Sequence, residues 1–354
     1  MRVTVRDIDA LVLGSAVLGS GGGGNPGLGA MLLRQAWETK GLDGVEVIPF
    51  DQIDDNSFLI GSAGMGSPVI GVEKIPNGEE YAAAFKTLEL YLNRTADYIS
   101  PVEIGGVNSI VPLITASYRA LPVADADGEG RAFPELQMTT FNAYGQRASP
   151  LSVVDERKNT SIIEAVNNFW AEKIARSVTV TYGGRGYVAI YPMTGSAYRS
   201  SAIPSSLSRA LTIGEEVIEG IKRKEAEESL INATDGERVF TGKIVDLKRY
   251  NVRGFSIGNV SLEGLDEFAG SRLDVTFQNE YLRARLTEPG GRPKVIVQTP
   301  DIIAIHDYSA MLPLTTDQLR YGARCKVFRI PVDKKWLTEA GLRTVGPEAF
   351  SLDS

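Results

Sequence analysis

The sequence predicts an α/β first half with a largely parallel sheet, joined to a β-rich second half. Three observations carry this. Apolar runs that end in Gly/Ser loops alternate with segments of helical periodicity over the first 160 residues, the pattern of βαβ units. From about Val239 the texture changes to short β-rich runs separated by turns, such as RVFTGKIVDLKRY, RLDVTFQNEYLRARL and CKVFRIPV, which suits an antiparallel unit. The 354 residues are 43% hydrophobic and 23% charged, enough chain and apolar surface for two domains without covalent staples. The boundary is placed at 167, giving an α/β domain over 1–167 and a β-rich domain over 168–354.

The elements follow in order. Residues 4–18 read as a helix through Ile8, Leu11, Val12 and Val17. The glycine-rich turn GSGGGGNPG comes next, then a helix over 28–39 and a strand over 45–50. FLIGSAGMGSP (58–68) reads as a buried strand breaking into a loop. Asn77 and Glu80 fit a capping box ahead of a helix burying Tyr81, Phe85, Leu88 and Leu92. A strand leads into EIGGVNS, a helix covers 108–119, and LPVADADGEG is a strand ending in acids and glycines. Ser161 and Glu164 suggest another cap, with Ile162, Val166, Phe169, Trp170 and Ile174 on one helical face. SVTVTYGG and YVAIYP read as strands.

Composition excludes several functions. The net charge is −7 and no basic block is present, so nucleic acid is not an expected partner. No apolar run is long enough to span a bilayer. Acids arrive too early in MRVTVRDID for a signal peptide. One cysteine, Cys325, rules out an internal disulfide, and the expected location is cytoplasmic. With one histidine, His306, no multi-histidine metal site can form within the chain. Any metal would be a hard divalent ion on oxygen ligands.

Gly19, Gly21 and Gly24 satisfy G-x-G-x-x-G, but a helix rather than a strand precedes them, so neither NAD nor a flavin is expected. The loop is either a nest of exposed amides or a tight helix connection. The densest polar constellation is DADGEGRAFPELQMTTF (125–141). Asp125 and Asp127 alternate along a strand end and share one face. Arg131, Glu135 and Gln137 follow. A functional site is favoured there over an Asp-rich turn closed by an Arg–Glu pair. Glu103 and Asn108 in EIGGVNS, and Glu73 in GVEK, repeat the design of a strand leading into a glycine loop with a polar residue. His306 and Cys325 read as structural.

GSGGGGNPGLG, VEKIPNGEEY, EIGGVNSIVPL and the 125–141 string resemble successive signatures of the S-methyl thiohydantoin desulfurase family, as do FTGKIVDL, TFQNEYL, TPDIIAIHD, LRYGARCKVF and VGPEAF. The family's glycine loop often continues with Asp, where this chain has Asn25, which keeps an oxygen for hydrogen bonding or coordination. The resemblance implies hydrolytic removal of a methylated sulfur from a five-membered ring, giving a hydantoin and methanethiol, and a place beside hydantoinases.

On both lines together, Asp125, Asp127 and Glu103 are the expected acid–base or metal centre. Arg131 and Asn108 would orient the ring, and Gly21, Gly22, Gly23 and Gly24 would offer amides to a ring carbonyl or a carboxylate. Asn25, Glu73, Glu135 and Gln137 complete the expected binding set. A small-molecule substrate, a second copy of the chain and a hydantoinase-pathway protein are the expected partners. Two other classes compete: a dinucleotide-dependent oxidoreductase using the glycine loop, and a non-catalytic hydantoin-binding module. Asp127→Asn is expected to lower the rate far more than the stability.

Overall fold

A computed structural model describes residues 1–66, 74, 76–252 and 254–352. The first sheet is ordered β1-β2-β5-β4-β3-β8-β6-β7, with β9 paired to the end of β5. Its strands are β1 Arg2–Thr4, β2 Gly44–Pro49, β3 Phe58–Gly66, β4 Tyr98–Pro101, β5 Val123–Asp127, β6 Leu151–Val154, β7 Thr160–Ile163, β8 Arg185–Thr194 and β9 Ile203–Pro204. β2, β5, β4 and β3 run parallel, while β8, β6 and β7 add an antiparallel flank.

β3 is buried along both faces, Phe58 to Ala63 without a break. Near-continuous burial is what a strand covered by helices on both sides requires. The covering helices are α1 Ile8–Leu18, α2 Pro26–Lys40, α3 Glu79–Leu92, α4 Val111–Arg119, α5 Asn168–Thr181 and α6 Ser206–Arg223. α3 buries Tyr81, Phe85 and Leu88, spaced to form one stripe. α1 and α6 approach closely because each supplies a glycine. A methyl group on Gly14 would overlap the Ala210 carbonyl, and one on Gly214 the Ala10 carbonyl.

The second sheet is antiparallel throughout, in the order β14-β13-β12-β11-β10-β16-β15. It comprises β10 Glu237–Val252, β11 Phe255–Gly264, β12 Arg272–Gln278, β13 Glu280–Thr287, β14 Lys294–Gln298, β15 Ile302–Asp307 and β16 Arg324–Ile330. Its core alternates along the strands, as in Val260 and Leu262, or Leu273, Val275 and Phe277. The molecule is thus α/β with a β-rich second half. The chain changes sheet between Thr234 and Glu237, so residues 168–234 complete the first sheet rather than open the second.

Three local readings change. Residues 2–4 pair with β2 as a strand, so the first helix opens at Ile8 and not at Thr4. Ser161 and Ile162 lie in β7, and the helix behind them starts at Asn168 with Asn167 as its cap, accepting from the Trp170 N–H at 3.0 Å. The run SVTVT is the end of α5 and not a strand. Ala171, Ala175 and Thr179 recur at helical spacing and form the buried face, and that packing overrides the β preference of Val178 and Val180. The larger Phe169, Trp170 and Ile174 face outward, as does Val166 ahead of the helix. No described helix is long and apolar enough to cross a membrane.

Candidate active site

The carboxyl ends of β3, β4 and β5 open into one cleft of about 110 Å³, the edge of an α/β sheet where ligands bind. Ala63 to Gly66 come from β3, Val102 and Glu103 follow β4, and Glu129 follows β5. Gly23 and Gly24 form another wall. The fourth side belongs to the other sheet, through Asn279 in the β12–β13 turn and Glu280 at the start of β13.

Each acid is placed by a local device. Asn279 takes a left-handed φ of 56°, a conformation asparagine tolerates. Its carboxamide oxygen accepts from the Ser256 N–H at 2.8 Å. The turn delivers Glu280 onto the glycine loop, where it accepts from the Gly23 N–H at 3.3 Å. A side chain on Gly22 would overlap that carboxyl. Glu103 is aimed by Asn108, whose amide donates to one Glu103 oxygen. Asn108 is itself fixed, accepting from the Gly64 N–H at 2.7 Å and donating to the Gly64 carbonyl at 3.1 Å. Glu129 stands on the turn that Asp127 organises.

Glu103, Glu129 and Glu280 are 7%, 3% and 2% exposed. Each keeps one carboxyl oxygen, Oε2, with no partner among the described residues. Burial raises all three above the usual carboxyl range. Glu103 is pushed well up by desolvation and then by the Glu280 and Asp127 charges, against the Asn108 hydrogen bond. Glu129 is raised well up by desolvation and by the other three acids. Desolvation raises Glu280 only to about 8, because Arg131 and the Gly23 N–H favour its anion. Asp127 is lifted to about 7 by desolvation, against the backbone amides it accepts from. Environments that separate neighbouring carboxyls in this way supply both an acid and a base at one pH.

A pH dependence follows. The folded protein holds protons on Asp127 and Glu280 that the unfolded chain releases above its ordinary values of 3.8 and 4.5. The stability these groups lend is therefore complete below those values and is lost as pH rises through about 7 and about 8. His306, held at about 4 by burial, works the other way between about 4 and 6.5. The melting temperature is thus expected to fall between about pH 6.5 and 8.5, at up to about 1.4 kcal/mol per proton per pH unit. Calorimetry across that interval tests this, and a flat melting temperature would show the acids already ionised in the folded protein.

The other expected site residues divide. Asp125 and Asp127 share one face of β5, yet neither lines the cleft. Asp125 accepts from the Leu207 and Ser208 N–H groups at 3.0 and 3.1 Å and from the Ser208 hydroxyl, so it caps α6. Asp127 accepts from the Glu129 N–H at 3.1 Å and the Gly130 N–H at 2.9 Å. Arg131 donates to the carbonyls of Ala132, Pro300 and Asp301 at 3.0, 2.7 and 2.8 Å, all away from the cleft lining. Gly21 packs under Tyr281, and Asn25 caps α2 by accepting from the Gly27 N–H at 2.9 Å. Glu135 lines the cleft. Gln137 sits behind it and donates to its carboxyl at 2.5 Å. Glu73 lies outside the described residues.

The close-packing reading of the glycine loop applies to Gly21, Gly22 and Gly23, where a side chain would overlap Tyr281, Glu280 and the Gly105 carbonyl, while Gly23 and Gly24 also wall the cleft. A helix, α1, precedes the loop. Asp125, Asp127 and Glu103 do not make a cation site together, and no group of three or more His, Cys, Asp or Glu among the described residues is arranged to hold a metal. His306 is buried, with Nδ1 2.9 Å from the Met311 carbonyl, and Cys325 is buried.

With its oxygens on two amides, Asp127 braces the turn that carries Glu129. Asp127→Asn is accordingly expected to cost about 1–3 kcal/mol of stability while the folded fraction keeps its specific activity. Thermal melting and turnover on one preparation decide this. Unchanged melting with turnover down about 100-fold would instead make Asp127 the general acid–base group.

Sequence reasoning missed Glu129, Arg176, Arg185, Asn279 and Glu280, all of which line the cleft. Glu129 stood inside the 125–141 string, outshone by its neighbouring aspartates. The signal for Glu280 was the Asn-Glu pair interrupting a strand pattern in TFQNEYL.

Two family models match the chain: S-Me-THD-like, N-terminal domain, over residues 6–165, and S-Me-THD-like, C-terminal domain, over 166–354. No curated protein matches. Among solved structures, the chain is similar to the crystal structure of a structural-genomics target from Chromobacterium violaceum. The TM-score is 0.83 at 22% identity, covering 100% of this chain and 98% of that one, a likeness of fold.

Proposed function

The chain belongs to the S-Me-THD-like family, the S-methyl thiohydantoin desulfurase family its sequence resembles, and on that premise we propose that it hydrolyses the carbon–sulfur bond of an S-methyl thiohydantoin. The observation carrying this reading is the set of three buried glutamates, drawn from both sheets, each with an unpartnered oxygen at one cleft.

The reacting ring carbon is doubly bonded to nitrogen and singly bonded to sulfur. Glu280 is the general base: burial raises it to about 8, but Arg131 and the Gly23 amide keep its anion within reach, so the base form grows in as pH approaches that value. It takes a proton from water as the water oxygen bonds to the carbon. Glu103 is the general acid, kept protonated by burial and by the Glu280 charge, and it protonates the ring nitrogen. The tetrahedral adduct then breaks its carbon–sulfur bond. Glu280 returns its proton to the departing sulfur, and the adduct's hydroxyl proton resets Glu103. One water is consumed, and a hydantoin and methanethiol are formed. Acid–base assistance of this kind supplies about 10²–10⁴-fold each.

The test is turnover of S-methyl thiohydantoins by purified protein, with methanethiol trapped by a thiol reagent and the hydantoin followed by NMR. Repeating it after chelation tells whether a bound cation takes part. Ring binding without methanethiol release would leave a non-catalytic hydantoin-binding protein.

A further inference from the structure

The cleft has a cationic end that the hydrolytic steps do not use. β8 runs antiparallel to β3, so its first residue, Arg185, lies beside Gly66 at the carboxyl end of β3 and lines the same cleft. Arg185 is 8% exposed, yet among the described residues it has no carboxylate partner. Its side chain meets two tyrosines: Nη2 donates to the Tyr81 hydroxyl at 3.1 Å, and the guanidinium sits 5.7 Å from the Tyr187 ring centre. Nε has no partner.

Three other arginines, the buried Arg131 and Arg283 and the half-buried Arg176, differ, and Arg283 donates to the Leu352 carbonyl at 3.3 Å. Arg176, also on the cleft, pairs with Glu172 at 2.6 Å. Arg131 spends its donors on backbone carbonyls. A buried cation without an anion is costly, and a planar guanidinium with free donors fits a carboxylate fork.

We infer that Arg185 is the specificity-determining residue of the cleft and receives a carboxylate carried by the substrate, which fixes the ring with its reacting carbon toward Glu103 and Glu280. This deepens the hydrolase reading and rests on it for the identity of the ring. The substrate class is a five-membered thiohydantoin bearing an anionic arm.

The test uses two probes that contain no sulfur, hydantoin-5-acetic acid and its amide, titrated into the full-length protein by calorimetry. The acid should bind at least about tenfold more tightly, as charge-assisted bidentate pairing does. Arg185→Met should erase the difference, and Arg185→Lys should retain part of it as a point charge. A merely structural arginine would weaken both probes alike. Equal binding of acid and amide by the wild type, or a preference that survives Arg185→Met, overturns the inference alone. Should Arg185→Met not fold, the wild-type comparison and the Lys variant still decide. Absence of binding by both probes overturns the ring assignment and the inference together. Tight binding of the acid without methanethiol release from its S-methyl thio counterpart sinks only the hydrolase.

Discussion

Glu103→Gln is expected to lower kcat by about 10²–10⁴-fold, the usual worth of one positioned proton donor, while the protein melts within a few degrees of wild type. Glutamine keeps the shape and can still accept the hydrogen bond that Asn108 donates, so the site remains assembled. It has no proton to give a ring nitrogen. Substitution also removes one of the acids coupled to Glu280 and Glu129. Part of the stability lost as pH rises through neutrality should therefore disappear with it. Steady-state kinetics and melting on the same preparation test both statements. A kcat within about threefold of wild type, far short of a general acid's contribution, would move the proton donor to Glu129.

Arg131→Met is expected to cost about 3–5 kcal/mol of folding free energy, the range for removing one partner from a buried charged network. The guanidinium is fully buried and reaches from β5's loop to the carbonyls of Pro300 and Asp301 ahead of β15. Methionine fills the volume but leaves those carbonyls without donors and removes the cation that favours ionised Glu280. Two readouts follow: a lower denaturant midpoint, and an acidic limb of the rate profile, set by the base Glu280, displaced to higher pH. A loss below about 1 kcal/mol, the worth of a single ordinary hydrogen bond, would show that the arginine is dispensable to the seam between the sheets.

Much of the fold was legible because periodicity reports burial. The stripe of Tyr81, Phe85 and Leu88 and the alternation of Leu273, Val275 and Phe277 each state which face is covered. What could not be read were faces set by partners far along the chain. Residues 178–181 look like a strand locally, and only the small Ala171 and Ala175 packing face makes them helical. The site was legible in its first-sheet half, where strand ends meet glycine loops. Glu280 was hidden because a buried acid in a β-hairpin is conspicuous only once the glycine loop lies against it. Asp125 and Asp127 misled for a related reason. Density of acids marks a strand end, but it does not tell a carboxylate that faces solvent or substrate from one that closes a cap. The helix that Asp125 caps begins 81 residues later, at Ser206.

The position of β8 carries a consequence for how this gene can be cut. Its strand is laid between β3 and β6, although it is encoded downstream of residue 165, where the first family model stops. A fragment ending there would lack the ribbon that joins the parallel strands to the β6–β7 hairpin, and would present two raw sheet edges to solvent. It would also lack α6, which covers α1. Such a piece should accumulate as aggregate when expressed alone and become soluble when the remainder is supplied in trans. The seam between the two family models would then cut through the first sheet, and the N-terminal module would need the following strand to close it.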